Sequence, residues 1–223
     1  MISLVWKDLY SGRLMILLGI AMFGGIFVLG VLTGSEEIAM YAMNIANVYS
    51  MMMVPFFALN SAANEEKNRT LALLRGMPIS PKRIVASKFV AALLVGVLWS
   101  LISVIAVSLG ASLFPGAAGR ALPPTPFLGP YQMALTLPIA AVTLIAFFKW
   151  NSSAARTAIM TLWVALYIVP TVFRPAGISM TEFYLKIMSP TPSAISIVLV
   201  VSLAIYFLGM LVAQEIFARR ELA

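Results

Sequence analysis

The amino-acid sequence predicts an all-α membrane protein with six transmembrane helices and a short cytoplasmic helix between the second and third. Three observations carry that expectation. Of 223 residues, 61% are hydrophobic and only 10% are charged, where a soluble domain carries about a quarter. A mean hydropathy of +0.99 leaves too little polar surface to face water, so lipid must be the main solvent. The charges also flank apolar runs of about 20 residues, the length a helix needs to cross a hydrocarbon core of roughly 30 Å.

Taken in order, the first run occupies 14–33, "LMILLGIAMFGGIFVLGVLT", and its Gly19, Gly24, Gly25 and Gly30 read as helix-packing positions. The second covers 38–63 and contains Pro55, which should kink it. A third, 89–114, carries Gly96, Ser100 and Ser103 as a small-residue packing face. The fourth covers 130–148, and the fifth, 157–173, is the shortest. The sixth runs over 194–217, with Glu215 and Arg219 spaced to pair on its inner end. Residues 1–223 thus read as one transmembrane domain.

Orientation follows from the cations. With a cytoplasmic N-terminus, the inner segments hold twelve of the basic residues: Lys7, Arg13, Lys67, Arg69, Arg75, Lys82, Arg83, Lys88, Lys149, Arg156, Arg219 and Arg220. Three remain outside, namely Arg120, Arg174 and Lys186. That bias predicts cytoplasmic termini in a multi-pass protein of the cell (inner, cytoplasmic) membrane. It also accounts for the net charge of +7 as a topology signal, with no nucleic acid involved. Trp6, Tyr10 and Trp150 suit an inner aromatic belt. The outer segment 115–130 is too rich in proline for a regular element, whereas 174–193 can hold one short helix capped by Thr181.

The densest charge lies in the inner segment 64–88, "NEEKNRTLALLRGMPISPKRIVASK". Asn64 is a good N-cap, Glu65 and Glu66 suit a first helical turn, and Glu65 stands four residues before Arg69. Leu71 and Leu74 share another face. Gly76 and Pro78 end the element. Ser80 as N-cap and Pro81 at the first helical position then open the third span. A short, capped helix with an apolar side suits docking against a cytosolic partner.

The segment resembles the signature of ABC-2 type transporter permeases, through Glu65 or Glu66, Thr70, Leu73, Leu74, Pro78, Ile79, Ser80, Ile84 and Lys88. The opening "LVWKDLYSGR" resembles that family's amphipathic N-terminal helix with its Lys7–Asp8 pair. The ending "FARREL" is similar to its basic C-terminus. The resemblance implies that Glu65, Glu66, Arg69, Thr70, Leu71, Leu74 and Arg75 form a coupling helix seated on a separate ATP-binding subunit, with Pro78, Ser80 and Lys88 completing the loop motif. It further implies a second permease half, a homodimer being favoured. The sequence holds no G-x-x-x-x-G-K-[ST] phosphate loop, so the chain is not itself an ATPase. ATP and magnesium would belong to the partner, and the chain needs no cofactor of its own. Compactness makes it most similar to small six-span exporters such as those of phenol-soluble modulins, which implies an amphipathic peptide as substrate. A drug, an antimicrobial peptide or a lipid is the alternative.

Other function classes fare worse. With no cysteine and no histidine in the sequence, and no carboxylate at a span centre, intramembrane acid–base or metal catalysis lacks its residues. Secondary transporters commonly use intramembrane charges and repeated halves, and neither is evident. A non-transporting immunity protein would not need a docking element. For the substrate pathway, Asn44, Asn47 and Met51 on the second span are the candidates, because unpartnered amides avoid lipid. Helix packing is the competing explanation for that face.

Overall fold

The computed structural model describes residues 1–68, 79–113, 128–172 and 191–219. Seven helices appear among them: α1 (Ile2–Ser11), α2 (Arg13–Thr33), α3 (Glu36–Lys67), α4 (Pro81–Leu113), α5 (Leu128–Lys149), α6 (Ser152–Val172) and α7 (Pro192–Arg219). Among the described residues the all-α expectation holds, and α2 to α7 overlap the six apolar runs in order. By length and composition, and among the described residues, α2, α4, α5 and α7 contain segments apolar enough to cross a membrane.

Local chemistry sets several boundaries. Gly34 takes a left-handed conformation (φ +61°) that lets the chain reverse after α2. Ser35 then caps α3 by accepting from the Ile38 amide at 3.5 Å. Helix α4 starts at Pro81 as its sequence predicts, with the Arg83 amide donating to the Ser80 carbonyl at 2.9 Å. Asn151 caps α6 through a 2.9 Å bond from the Ala154 amide, and Thr191 caps α7 at 3.4 Å from that of Ala194.

One boundary differs from expectation. Asn64 caps no new helix, because α3 runs on through it to Lys67 and ends at Asn68. Nothing between Ser61 and Lys67 breaks a helix, and continuing it keeps the backbone bonded. Pro55 lies inside the same helix. The continuation stacks Glu65 one turn beyond Ser61 on the same face.

Helix α5 is the centre of the bundle, packed on α3, α4, α6 and α7. Its apolar window is 72% buried, against 12% for that of α2, which lies at the periphery. Lipid offers no hydrophobic drive between helices, so close packing and hydrogen bonds must hold them. A Cβ on Gly209 of α7 would stand 3.1 Å from the Ala141 side chain of α5, so those two helices approach closely. Ser202 Oγ donates to the Ala134 carbonyl at 2.6 Å, and Ser100 Oγ to that of Gly129 at 3.2 Å. Tyr206 Oη donates to the Phe89 carbonyl at 2.6 Å and tilts its ring 5.1 Å from that of Phe89.

The small residues of α4 therefore pack, as their spacing predicts: Gly96 touches Val54, and Ser100 and Ser103 are buried. Those of α2 divide. A Cβ on Gly19 would meet Trp99 at 2.7 Å, whereas Gly24 and Gly25 have nothing within 4 Å. Trp6 and Tyr10 of α1 and Trp150 at the end of α5 are all exposed, as an interfacial belt requires. Arg13 lies over the Tyr10 ring at 3.9 Å and Lys149 over that of Trp150 at 4.5 Å.

Candidate functional site

Helix α1 has two faces. Ile2, Trp6 and Tyr10 point outward, while Leu4, Val5 and Asp8 are buried, with α1 packed chiefly on α4. Asp8 is only 2% exposed. A lone carboxylate in so dry a place would be costly. It is not alone: Lys88 Nζ, itself 3% exposed, lies 3.2 Å from Asp8 Oδ1. The same ammonium donates to Ser61 Oγ at 3.0 Å and forms an ion pair with Glu65 Oε2 at 3.0 Å. Ser61 Oγ in turn donates to Asp8 Oδ1 at 3.2 Å. Lys7 closes the cluster by bonding Glu65 Oε1. Two carboxylates and two ammoniums balance, and three separate helices, α1, α3 and α4, are pinned at one end of the bundle.

The next residue looks elsewhere. Glu66 is exposed, and its Oε2 accepts from the Ser152 amide at 2.7 Å. That amide belongs to the first turn of α6, where a helix offers unpaired N–H groups and positive potential. Two successive glutamates therefore hold opposite sides of the bundle, one on α1 and α4 and the other on α6. They stand at the foot of segment 69–78.

Glu65 thus does not offer its carboxylate to a cytosolic surface, as its sequence position suggests; it is 5% exposed. It is turned inward to Lys7 and Lys88 because α3 does not break at Asn64. Glu66 keeps its exposure. Arg69, Thr70, Leu71, Leu74, Arg75 and Pro78 lie outside the described residues, as does the short helix expected after Thr181. Ser80 is exposed at the start of α4, and Lys88 lies two turns inside that helix, buried. Met51 is half-buried on α3, while the side chains of Asn44 and Asn47 lie outside the description. Glu215 and Arg219 pair at 2.7 Å, as their spacing predicts.

Sequence reasoning noted Asp8 and Lys88 separately and missed that they meet. The available signal was position: Lys88 stands immediately beside an apolar run, where a charge is either snorkelling or paired, and Asp8 lies in the amphipathic helix that precedes the first run. It also missed a cavity of about 430 Å³ between α2, α3 and α6, lined by Met15, Tyr49, Met52, Phe56, Asn60 and Arg156 among others. A second, more apolar groove of about 670 Å³ lies between α5 and α6. Among the described residues no group of carboxylates could hold a metal ion.

Apolar helices of membrane-spanning length around a dry ionic clamp define a multi-pass α-helical membrane protein. Residues 3–218 match the family described as "ABC-2 family transporter protein", and the chain belongs to that family. No curated protein matches it. Membership makes this a transporter permease, the transmembrane component and not the ATPase, and implies an ATP-binding partner.

Proposed function

We propose that the chain is the permease subunit of an ATP-driven exporter, with all six long helices crossing the cell membrane and both termini in the cytosol. Two permease halves pair, a second copy of the chain being favoured, and separate subunits bind ATP and magnesium. Segment 69–75 is the coupling element, rooted on Glu65 and Glu66; in it Leu71 and Leu74 supply the apolar contact and Arg69, Thr70 and Arg75 the polar rim. Asn44, Asn47 and Met51 face the pathway. The substrate is amphipathic. The likeness to peptide exporters puts a peptide first, with drugs or lipids behind it.

The observation that supports this reading best is the anchorage of Glu65 and Glu66. A docking segment transmits force only if its root is fixed, and here the root is tied to α1 and α4 by ion pairs and to α6 by a helix cap. The test is co-purification with the ATP-binding subunit. Leu71→Asp with Leu74→Asp should abolish association while membrane insertion persists. Full-yield co-purification of that variant would place the docking surface elsewhere.

A further inference from the structure

The side of α3 opposite the ion cluster carries a different feature. At 100° per residue, Met52, Phe56 and Ala63 lie nearly half a turn from Ser61 and Glu65, with Asn60 at the edge of that face. They face Met15 of α2 and Arg156 of α6 across the 430 Å³ cavity. Its walls are mostly apolar, and its methionines are unbranched and adaptable. Arg156 is its one charged side chain, exposed at the rim and without an ion pair among the described residues. It stands one turn into α6, near the charged end of the bundle, whereas Tyr49 and Met52 lie further along α3. A cation at interface depth above an apolar slot complements a molecule with an acidic head and an apolar tail.

We propose that this cavity binds a small anionic amphiphile, its carboxylate or phosphate on Arg156 and Asn60 and its apolar chain along Met15, Met52 and Phe56. The inference rests on the exporter reading and takes up the drug or lipid alternative within it. Ligand pockets commonly measure about 300–1,000 Å³, and one acyl chain or ring system suits a cavity of about 430 Å³. Arg156 also lies four residues after Ser152, whose amide Glu66 holds. The head of the ligand and the root of the docking segment thus bear on the same turn of α6.

The test uses the full chain in phosphatidylcholine nanodiscs with cis-parinaric acid, a fluorescent C18 carboxylic acid, and its alcohol analogue as probes. Arg156→Gln should weaken the acid at least tenfold and leave the alcohol unchanged, and Arg156→Lys should stay within threefold of the parent chain. Ala63→Leu, which narrows the slot, should weaken both probes while the melting temperature holds. Displacement of the acid by lysophosphatidic acid marks a lipid source and displacement by an acidic drug a xenobiotic one, and either supports the site. Equal acid affinity in the parent chain and Arg156→Gln would overturn it, as would displacement only by an amphipathic peptide. Co-purification of an ATP-binding subunit is scored separately. Arg156-dependent binding without that partner sinks the exporter reading and leaves the site standing; the converse leaves the exporter and removes the site.

Discussion

Lys88 Nζ sits 3.2 Å from Asp8 Oδ1, joining the N-terminal helix to the second turn of α4 across 80 residues of sequence. The pair is nearly dry on both sides; without Lys88, Asp8 keeps only the Ser61 hydroxyl and the Lys7 ammonium 3.8 Å away, whereas without Asp8, Lys88 keeps Glu65 at 3.0 Å. Lys88→Met should cost about 3–5 kcal/mol, the usual penalty for breaking a buried ion pair. Adding Asp8→Asn should recover part of that loss, because Glu65 retains Lys7. Thermal unfolding of the single and double variants in detergent measures it. Additive losses would mean that the two residues do not interact.

The glycines of α2 separate in the same assay. Gly19→Ala drives a methyl group into Trp99, a ring that is 1% exposed and has little room to yield. Overpacking of this kind costs about 1–3 kcal/mol. Gly24→Ala meets nothing within 4 Å and should change stability by about 1 kcal/mol or less, in the direction of gain, since alanine is the better helix former. Equal effects at the two positions would contradict the packing described for α2.

Glu66→Ala should loosen the start of α6 by about 0.5–2 kcal/mol, the range for loss of a side-chain cap. The loss is local, so amide exchange around Ser152 reports it better than global melting. Exchange there should rise in Glu66→Ala and stay slow in Glu65→Gln. A reversed pattern would show that Glu65, not Glu66, holds α6.

Topology is open to a direct check, since the sequence contains no cysteine. Single cysteines at Ser3 and Ser153, both exposed, should resist a membrane-impermeant thiol reagent in intact cells. One at Thr191, at the opposite end of α7 from Arg219, should react. Labelling at Ser3 with protection at Thr191 would invert the proposed orientation.

Much of the fold was legible because a long apolar run in a membrane protein is held as helix, where its backbone groups bond within the segment, and the six apolar runs mark the six long helices. Sharp local chemistry was legible too: Ser80 and Pro81 open α4, and Glu215 meets Arg219. What failed was a competition between local signals. Asn64, Glu65 and Glu66 look like a helix beginning, yet no breaker precedes them, and the helix already running wins. That single difference turns Glu65 from a surface residue into a buried one. The Asp8–Lys88 pair was hidden for another reason, since only the packing of α1 on α4 brings them together. Arg156 counted in the sequence as one more topology cation, and the slot beneath it needs three helices to exist.

The same Asp8–Lys88 contact sets a timetable for biosynthesis. A ribosome adding about 5–20 residues per second finishes Asp8 several seconds before it reaches Lys88. Throughout that interval the aspartate has no ammonium from α4 to meet, and burying it would carry the full desolvation cost. Helix α1 must therefore wait unseated, its exposed Trp6 and Tyr10 suited to the headgroup region, while α2 and α3 are made. It can seat only when α4 arrives. The last turn of α3, whose Glu65 meets the same ammonium, waits with it, after four helices have been made.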